Sequence, residues 1–141
     1  MQIMIDLNVL LDVIQKREPH VAASGKILGL VAKRKIAGSI PAHALNTLHY
    51  IVAKYAGQAK AGQTVDWLLS TLTVVPAGQK EFLRARGLNI PDFEDAVVAS
   101  LAESGHCRYV VSRNPGDFKN SRIPVLTPEE FLALMLENKM E

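Results

Sequence analysis

Short apolar runs alternate with longer stretches in which apolar residues recur every three or four positions, and the two patterns take turns along the chain. Ile3 to Ile5 reads as a strand, and Leu10, Leu11 and Ile14 place a short helix after it that Arg17-Glu18-Pro19 breaks. From His20 onward Val21, Ile27, Leu28, Leu30 and Val31 fall at helical spacing, with Lys33-Arg34-Lys35 as the basic last turn that a helix carboxyl end favours. Gly38-Ser39-Ile40 predicts a second strand. Leu45, Leu48, Ile51 and Val52 predict a helix over 42–55 that Gly57 stops, and Val65, Leu68, Leu69 and Leu72 mark another. These two helices form either a hairpin projecting from the sheet or an ordinary crossover packed on it.

Val74-Val75 predicts a third strand, followed by a helix over 80–86 ended by Gly87. Pro91 and Asp92 start a helix that runs to about Gly105, Tyr109 to Ser112 is the clearest strand, and Pro124-Val125-Leu126 is the last. Thr127 caps a final helix beginning Pro128-Glu129-Glu130. Strands that alternate with helices in this way predict parallel strands joined by helical crossovers, in one domain spanning 1–141.

Composition adds a few bounds. A hydrophobic content of 48% supports a sizeable core, and sixteen basic against fourteen acidic residues leave a charge of +2, too mild to announce a nucleic-acid partner. A single cysteine, Cys107, excludes an intrachain disulfide and reads as a small core residue. Met1 to Met4 lacks the basic segment of a signal peptide and no apolar run is long enough to span a bilayer, so a cytoplasmic protein is expected.

The candidate chemistry sits where apolar runs end: Asp6 and Asn8 after the first strand, Asp92 and Asp95 at the start of a helix, Asn114 and Asp117 after Tyr109-Val110-Val111. In an open parallel sheet the crevice lies outside the carboxyl ends of the strands, so these groups can converge although a hundred positions separate them. Hard oxygen ligands gathered there suit Mg²⁺ or Mn²⁺, and a divalent cation would relieve their repulsion. Each residue also has a plainer role. Asp92 and Asp95 serve as helix-start carboxylates, Asp6 as a strand-end cap, and Asn114-Pro115-Gly116-Asp117 as a turn. The four histidines do not make a zinc site: His43 and His49 lie six apart on a helix, and His20 and His106 are isolated, which leaves all four to structural or surface roles.

Four segments, in order and in strand context, resemble the PIN-domain family: 4–12 (Met-Ile-Asp-Leu-Asn-Val-Leu-Leu-Asp), 92–96 (Asp-Phe-Glu-Asp-Ala), 110–118 (Val-Val-Ser-Arg-Asn-Pro-Gly-Asp-Phe) and 123–132 (Ile-Pro-Val-Leu-Thr-Pro-Glu-Glu-Phe-Leu). The resemblance covers nearly the whole chain. It implies a three-layer α/β/α sandwich with a central parallel sheet and a nuclease site using Mg²⁺ or Mn²⁺. The members most similar in size are VapC-type toxins, which cleave RNA and are restrained by an antitoxin; a homodimer with a shared groove lined by Lys33, Arg34 and Lys54 is expected as well. Carried over, Asp6, Asp95 and Asp117 are catalytic, and together with Asp92 they hold the metal. Asn8, Thr47, Ser112 and Asn114 support them, Thr47 or Asn46 holding a metal-bound water through a neutral oxygen. The family's helix glutamate is missing: 42–50 carries no acid, and Thr47 stands in its place.

Two other readings follow from the residues. Loss of that glutamate would suit a PIN-like module that binds RNA or protein without cleaving. Asp6-Leu7-Asn8 after a strand also resembles the start of a haloacid dehalogenase phosphatase, whose second aspartate is here Asn8.

Overall fold

The computed structural model describes residues 1–140, and side chains through residue 138. Five strands form one sheet in the order β3-β2-β1-β4-β5: β1 (Gln2–Ile5), β2 (Ala37–Pro41), β3 (Thr73–Val75), β4 (Tyr109–Val111) and β5 (Val125–Leu126). All four pairings are parallel. Parallel strands buried on both faces read as unbroken apolar runs, which is why Ile3-Met4-Ile5 carries no polar alternation. Period-two geometry nevertheless divides it, with Ile3 and Ile5 facing one core and Met4 the other.

Helices cover both faces. α1 (Leu7–Ile14), α2 (Val21–Ala32), α3 (Ala42–Ala56), α4 (Gln58–Thr71) and α7 (Pro128–Met140) contribute Leu10, Ile27, Leu48, Leu68 and Phe131 to the first core. α5 (Gln79–Gly87) and α6 (Phe93–Ser104) contribute Ala85 and a buried stretch from Ala96 to Ala102 to the second. The result is the expected three-layer sandwich around a parallel sheet. Among the described residues no helix is long and apolar enough to cross a membrane.

Local chemistry accounts for the boundaries. Gly57, at φ 91°, separates α3 from α4 in a conformation that glycine reaches without strain. Thr127 and Glu130 form a reciprocal capping box, Thr127 Oγ1 accepting from Glu130 N at 3.1 Å while Glu130 Oε1 accepts from Thr127 N at 2.9 Å. Three expectations need adjustment. α2 ends at Ala32, so Lys33-Arg34-Lys35 lies beyond its last turn and Arg34 takes a left-handed conformation at φ 59°. Gly87 closes α5 from within, and the left-handed residue that follows is Asn89 at φ 56°. α3 and α4 do pair, but Leu48 and Leu68 are buried in the first core, so the pair is the β2-to-β3 crossover and packs on the sheet.

Chain order sets the location of any crevice. From β1 the chain moves outward through β2 and β3, then returns to the other side of β1 with β4 and β5. The reversal falls between β1 and β4, and the gap it opens lies beyond their carboxyl ends, at Asp6 and Ser112.

Gly38 on β2 tests the packing of the first core. A methyl group there would come within 2.7 Å of Leu72 Cδ2, 3.1 Å of Val31 Cγ2 and 3.2 Å of Ile5 Cδ1. Gly38→Ala should destabilise the protein by about 1–3 kcal/mol in denaturant titration through overpacking. Gly62→Ala, in α4 with open space around it, should instead leave stability unchanged or raise it by about 0.4–1 kcal/mol.

Candidate active site

Asp6 is the centre of the crevice, its side chain 8% exposed. One carboxylate oxygen, Oδ1, accepts from Leu7 N at 2.8 Å and so caps α1; the other, Oδ2, accepts from Ser112 Oγ at 2.8 Å and Asn8 Nδ2 at 3.3 Å. Ser112, fully buried, also accepts from Asn114 N at 3.2 Å. The Asn8 side-chain oxygen accepts from Arg113 N at 3.3 Å. Asp6, Asn8 and Ser112 therefore tie the end of β1 to the end of β4 with a net of hydrogen bonds.

The second group of acids comes from the start of α6. Asp92 caps it, Oδ1 accepting from Asp95 N at 3.0 Å, so the plain helix-start role is present beside any other. Asp117 is exposed in a single 3-10 turn, Pro115–Phe118, whose first bond runs from Asp117 N to Asn114 O at 3.1 Å. Asp92, Asp95 and Asp117 line one open cavity of about 430 Å³ with Lys119. Asn114 acts here through its backbone.

Electrostatics connects the two groups. Burial is the main force raising the Asp95 carboxyl from 3.8 to about 6, and the carboxylates of Asp92, Asp6, Asp117 and Glu94 add to it in that order. Burial also raises Asp6; the hydrogen bonds from Ser112 and Leu7 act against it, Glu94 raises it further, and His43 lowers it. Every charge acting on Asp95 is thus a carboxylate. Like charges held this close disfavour the ionised form.

The implied metal has to be tested against these residues. Among the described residues no three acidic, histidine or cysteine side chains form a ready-made cage. Mg²⁺ does not need one, since it keeps several waters and is held through one or two carboxylates together with substrate phosphate. An all-oxygen donor set with raised carboxyl pKa values fits such an ion, with Asp6 and Asp95 as the natural direct ligands and Asp92 and Asp117 nearby.

Two residues reach the site that the sequence reading left out. His43, at the start of α3, places Nε2 3.9 Å from Glu94 Oε1, and both act on Asp6. His43 is half-exposed there, so a surface role is compatible with its place beside the acids. Signals existed: Glu94 lies between Asp92 and Asp95, and His43 follows the end of β2 as Asp6 follows β1. Thr47, placed where a family glutamate would stand, donates its hydroxyl to His43 O at 3.2 Å. Behind the site Asp12, fully buried, accepts from Ser24 Oγ at 3.1 Å and lies 3.0 Å from Arg113 Nε, an ion pair without hydrogen-bond alignment.

The basic run lies elsewhere. Arg34 and Lys35 line a groove with Met1, Ala37 and Thr73, at the amino ends of the strands. α3 begins beside the acids and runs roughly 18 Å away before reaching Lys54. Within one chain, parallel strands send their amino ends and the basic run to the edge opposite the acids.

Comparisons with known proteins agree with this geometry. A PIN domain family model matches residues 2–115. VapBC2 from Rickettsia felis, solved bound to a DNA fragment from its promoter, is 23% identical with a TM-score of 0.70, covering 90% of this chain and 98% of that one. A toxin-antitoxin complex from Klebsiella pneumoniae is 20% identical with a TM-score of 0.68, over 89% and 96%. VapC20 from Mycobacterium tuberculosis, a toxin that cleaves the sarcin-ricin loop, is 11% identical with a TM-score of 0.60, over 77% and 86%. No curated protein matches.

The raised Asp95 carboxyl makes metal-free stability depend on pH. Its folded pKa of about 6 exceeds its ordinary 3.8, so the folded state binds more protons than the unfolded one between those values and stability falls as pH rises through that window. The penalty is absent below the lower value and complete above the higher. Asp95→Asn should therefore raise the metal-free melting temperature at pH 7.5 by about 2–4 °C, with little change at pH 4. Equal gains at both pH values in calorimetric melts would contradict the carboxylate repulsion.

Proposed function

Since this chain belongs to the PIN domain family, we propose that it is a divalent-metal-dependent endoribonuclease, the toxin of a type II toxin-antitoxin pair, hydrolysing RNA phosphodiesters. The observation that supports the reading is a cavity at the carboxyl edge of the sheet lined by Asp92, Asp95 and Asp117, with Asp6 near enough for its charge to act on Asp95. Asp6 and Asp95 hold Mg²⁺ or Mn²⁺, with Asp92 and Asp117 completing the negative field. When bound, the cation offsets charge on the phosphate and lowers the pKa of an attacking water.

The chain's own residues do the rest. Ser112 and Asn8 fix the rotamer of Asp6 through their hydrogen bonds, so it meets the ligand already oriented. Asp117, on the exposed turn, stands at the mouth of the cavity, and Lys119 there offers a cationic contact for a neighbouring phosphate. No covalent nucleophile is required, which sets this reading apart from a phosphatase that forms an aspartyl phosphate.

A second reading, an RNA- or protein-binding module with weakened catalysis, is favoured by one observation: α3 carries no acid, and the Thr47 hydroxyl is engaged by the His43 carbonyl. A nuclease assay separates the two.

Partners follow from the surface. Support for an antitoxin comes from the toxin-antitoxin complexes among the structural relatives and from an apolar groove of about 510 Å³ between α1, α2 and α4, floored by Leu10, Leu28 and Leu68 and edged by Lys16 and Lys60. Self-association would use the other side of α2, where Leu30, Leu132, Met135 and Leu136 line a second groove. A homodimer formed through it should give twice the chain mass in light scattering at micromolar concentration, and a monomer there would reject it.

For catalysis, Asp6→Asn should lower the RNA hydrolysis rate by at least about a thousandfold in protein freed of contaminating nuclease, while keeping the α1 cap. Saturating Mn²⁺, at about a hundred times its dissociation constant, should stabilise the wild-type fold by about 2.7 kcal/mol and Asp6→Asn by much less. Equal hydrolysis rates would overturn the assignment of Asp6, and hydrolysis by neither protein would favour the binding module.

A further inference from the structure

Beside the acids the surface carries a feature that hydrolysis does not require. Phe93 and Phe82 are 48% and 40% exposed, yet their rings stack with centroids 6.1 Å apart and planes inclined by 23°. Exposed aromatics paired in this way present two adjacent apolar rings to water. Phe93 is the first residue of α6, between the Asp92 cap and Glu94. Phe82 projects from α5, and Arg86 follows it by four residues on the same face of that helix, exposed.

We propose that the Phe82–Phe93 pair is a base-stacking shelf that takes an unpaired nucleobase of single-stranded RNA next to the cleavage site. The proposal rests on the ribonuclease reading and adds to it a site that positions the substrate. Helical geometry assigns the base. At about 100° per residue, Phe93 leaves α6 roughly 160° round the axis from Asp95, so the shelf does not face the scissile phosphate. A base splayed from its stack beside that phosphate along the same single strand would meet the rings while Arg86 meets a phosphate. Every base has a π face, so the shelf favours single strands over duplexes without reading sequence. Tyr50, Tyr55 and Trp67, the other exposed aromatics, lie on α3 and α4, and none of them neighbours the acids in sequence.

Binding of a fluorescein-labelled twelve-nucleotide single-stranded RNA tests this, in an Asp95→Asn background that silences hydrolysis, read by anisotropy with Mg²⁺ present. Phe93→Ala and Phe82→Ala should each weaken binding about tenfold, and Phe93→Trp should retain wild-type affinity. Affinity for a blunt RNA duplex should change less than twofold for all three. With Trp67→Phe also made, the indole introduced by Phe93→Trp should lose fluorescence when the single strand binds, as a ring stacked on a base does. Unchanged single-strand affinity in both alanine variants overturns the shelf while leaving the ribonuclease reading intact. No RNA binding or cleavage by the wild type overturns the reading itself, and the shelf with it. A fall in oligomer mass on Phe93→Ala, with RNA affinity unchanged, would overturn the shelf too and mean that a second copy of the chain covers the rings.

Discussion

Asp6 carries the constraint on which the rest of the molecule depends. Its carboxylate caps α1, bonds the end of β4 through Ser112, and is held by Asn8, so one buried acid fixes where two central strands finish. Burial raises its pKa while the donors around it lower it again. A carboxylate in this position is stable only because hydrogen bonds replace part of its lost hydration. The same bonds hold its side chain in one orientation at the end of the sheet.

Around Asp6 the protein accepts an electrostatic penalty. Asp95 is pushed up to about 6 by burial and by its neighbours, with Asp117 and Glu94 supplied from an exposed turn and an exposed helix start. Solvent at these positions screens the repulsion enough for the fold to tolerate it. Behind them the buried Asp12 pairs with the half-buried Arg113 between α1 and the end of β4, with Ser24 of α2 bonded to the same carboxylate. Removing one member of such a pair strands the other charge, so the pair serves as a rigid backing more than as a source of net stability.

Parallel topology also sorts charge by position. Every strand points its carboxyl end to the same edge, so strand-end acids collect there, while the turn before β2 carries Lys33 to Lys35 to the other edge. An overall charge of +2 hides this polarity. α2 divides the first face into two apolar grooves, one toward α1 and α4 and one toward α7, with lysines at the rim of both.

Much of this was legible in the chain itself. Helices and strands followed from the spacing of apolar residues, because burial on a helix or in a parallel strand imposes a period that one-dimensional sequence records. Asp6, Asp95 and Asp117 stood out because they lie close to the ends of apolar runs or the start of a helix, and strand ends are where an open sheet has its crevice. Other features were invisible for an equally physical reason. His43 and Glu94 meet only because α3 and α6 approach from opposite layers, and Thr47 turns to its own backbone because a hydroxyl has a carbonyl within reach four residues earlier. Periodicity and strand ends are local, so the sequence determined the elements and most of the acids by itself. Which side chains touch depends on contacts across a hundred residues, and only the tertiary structure decided that.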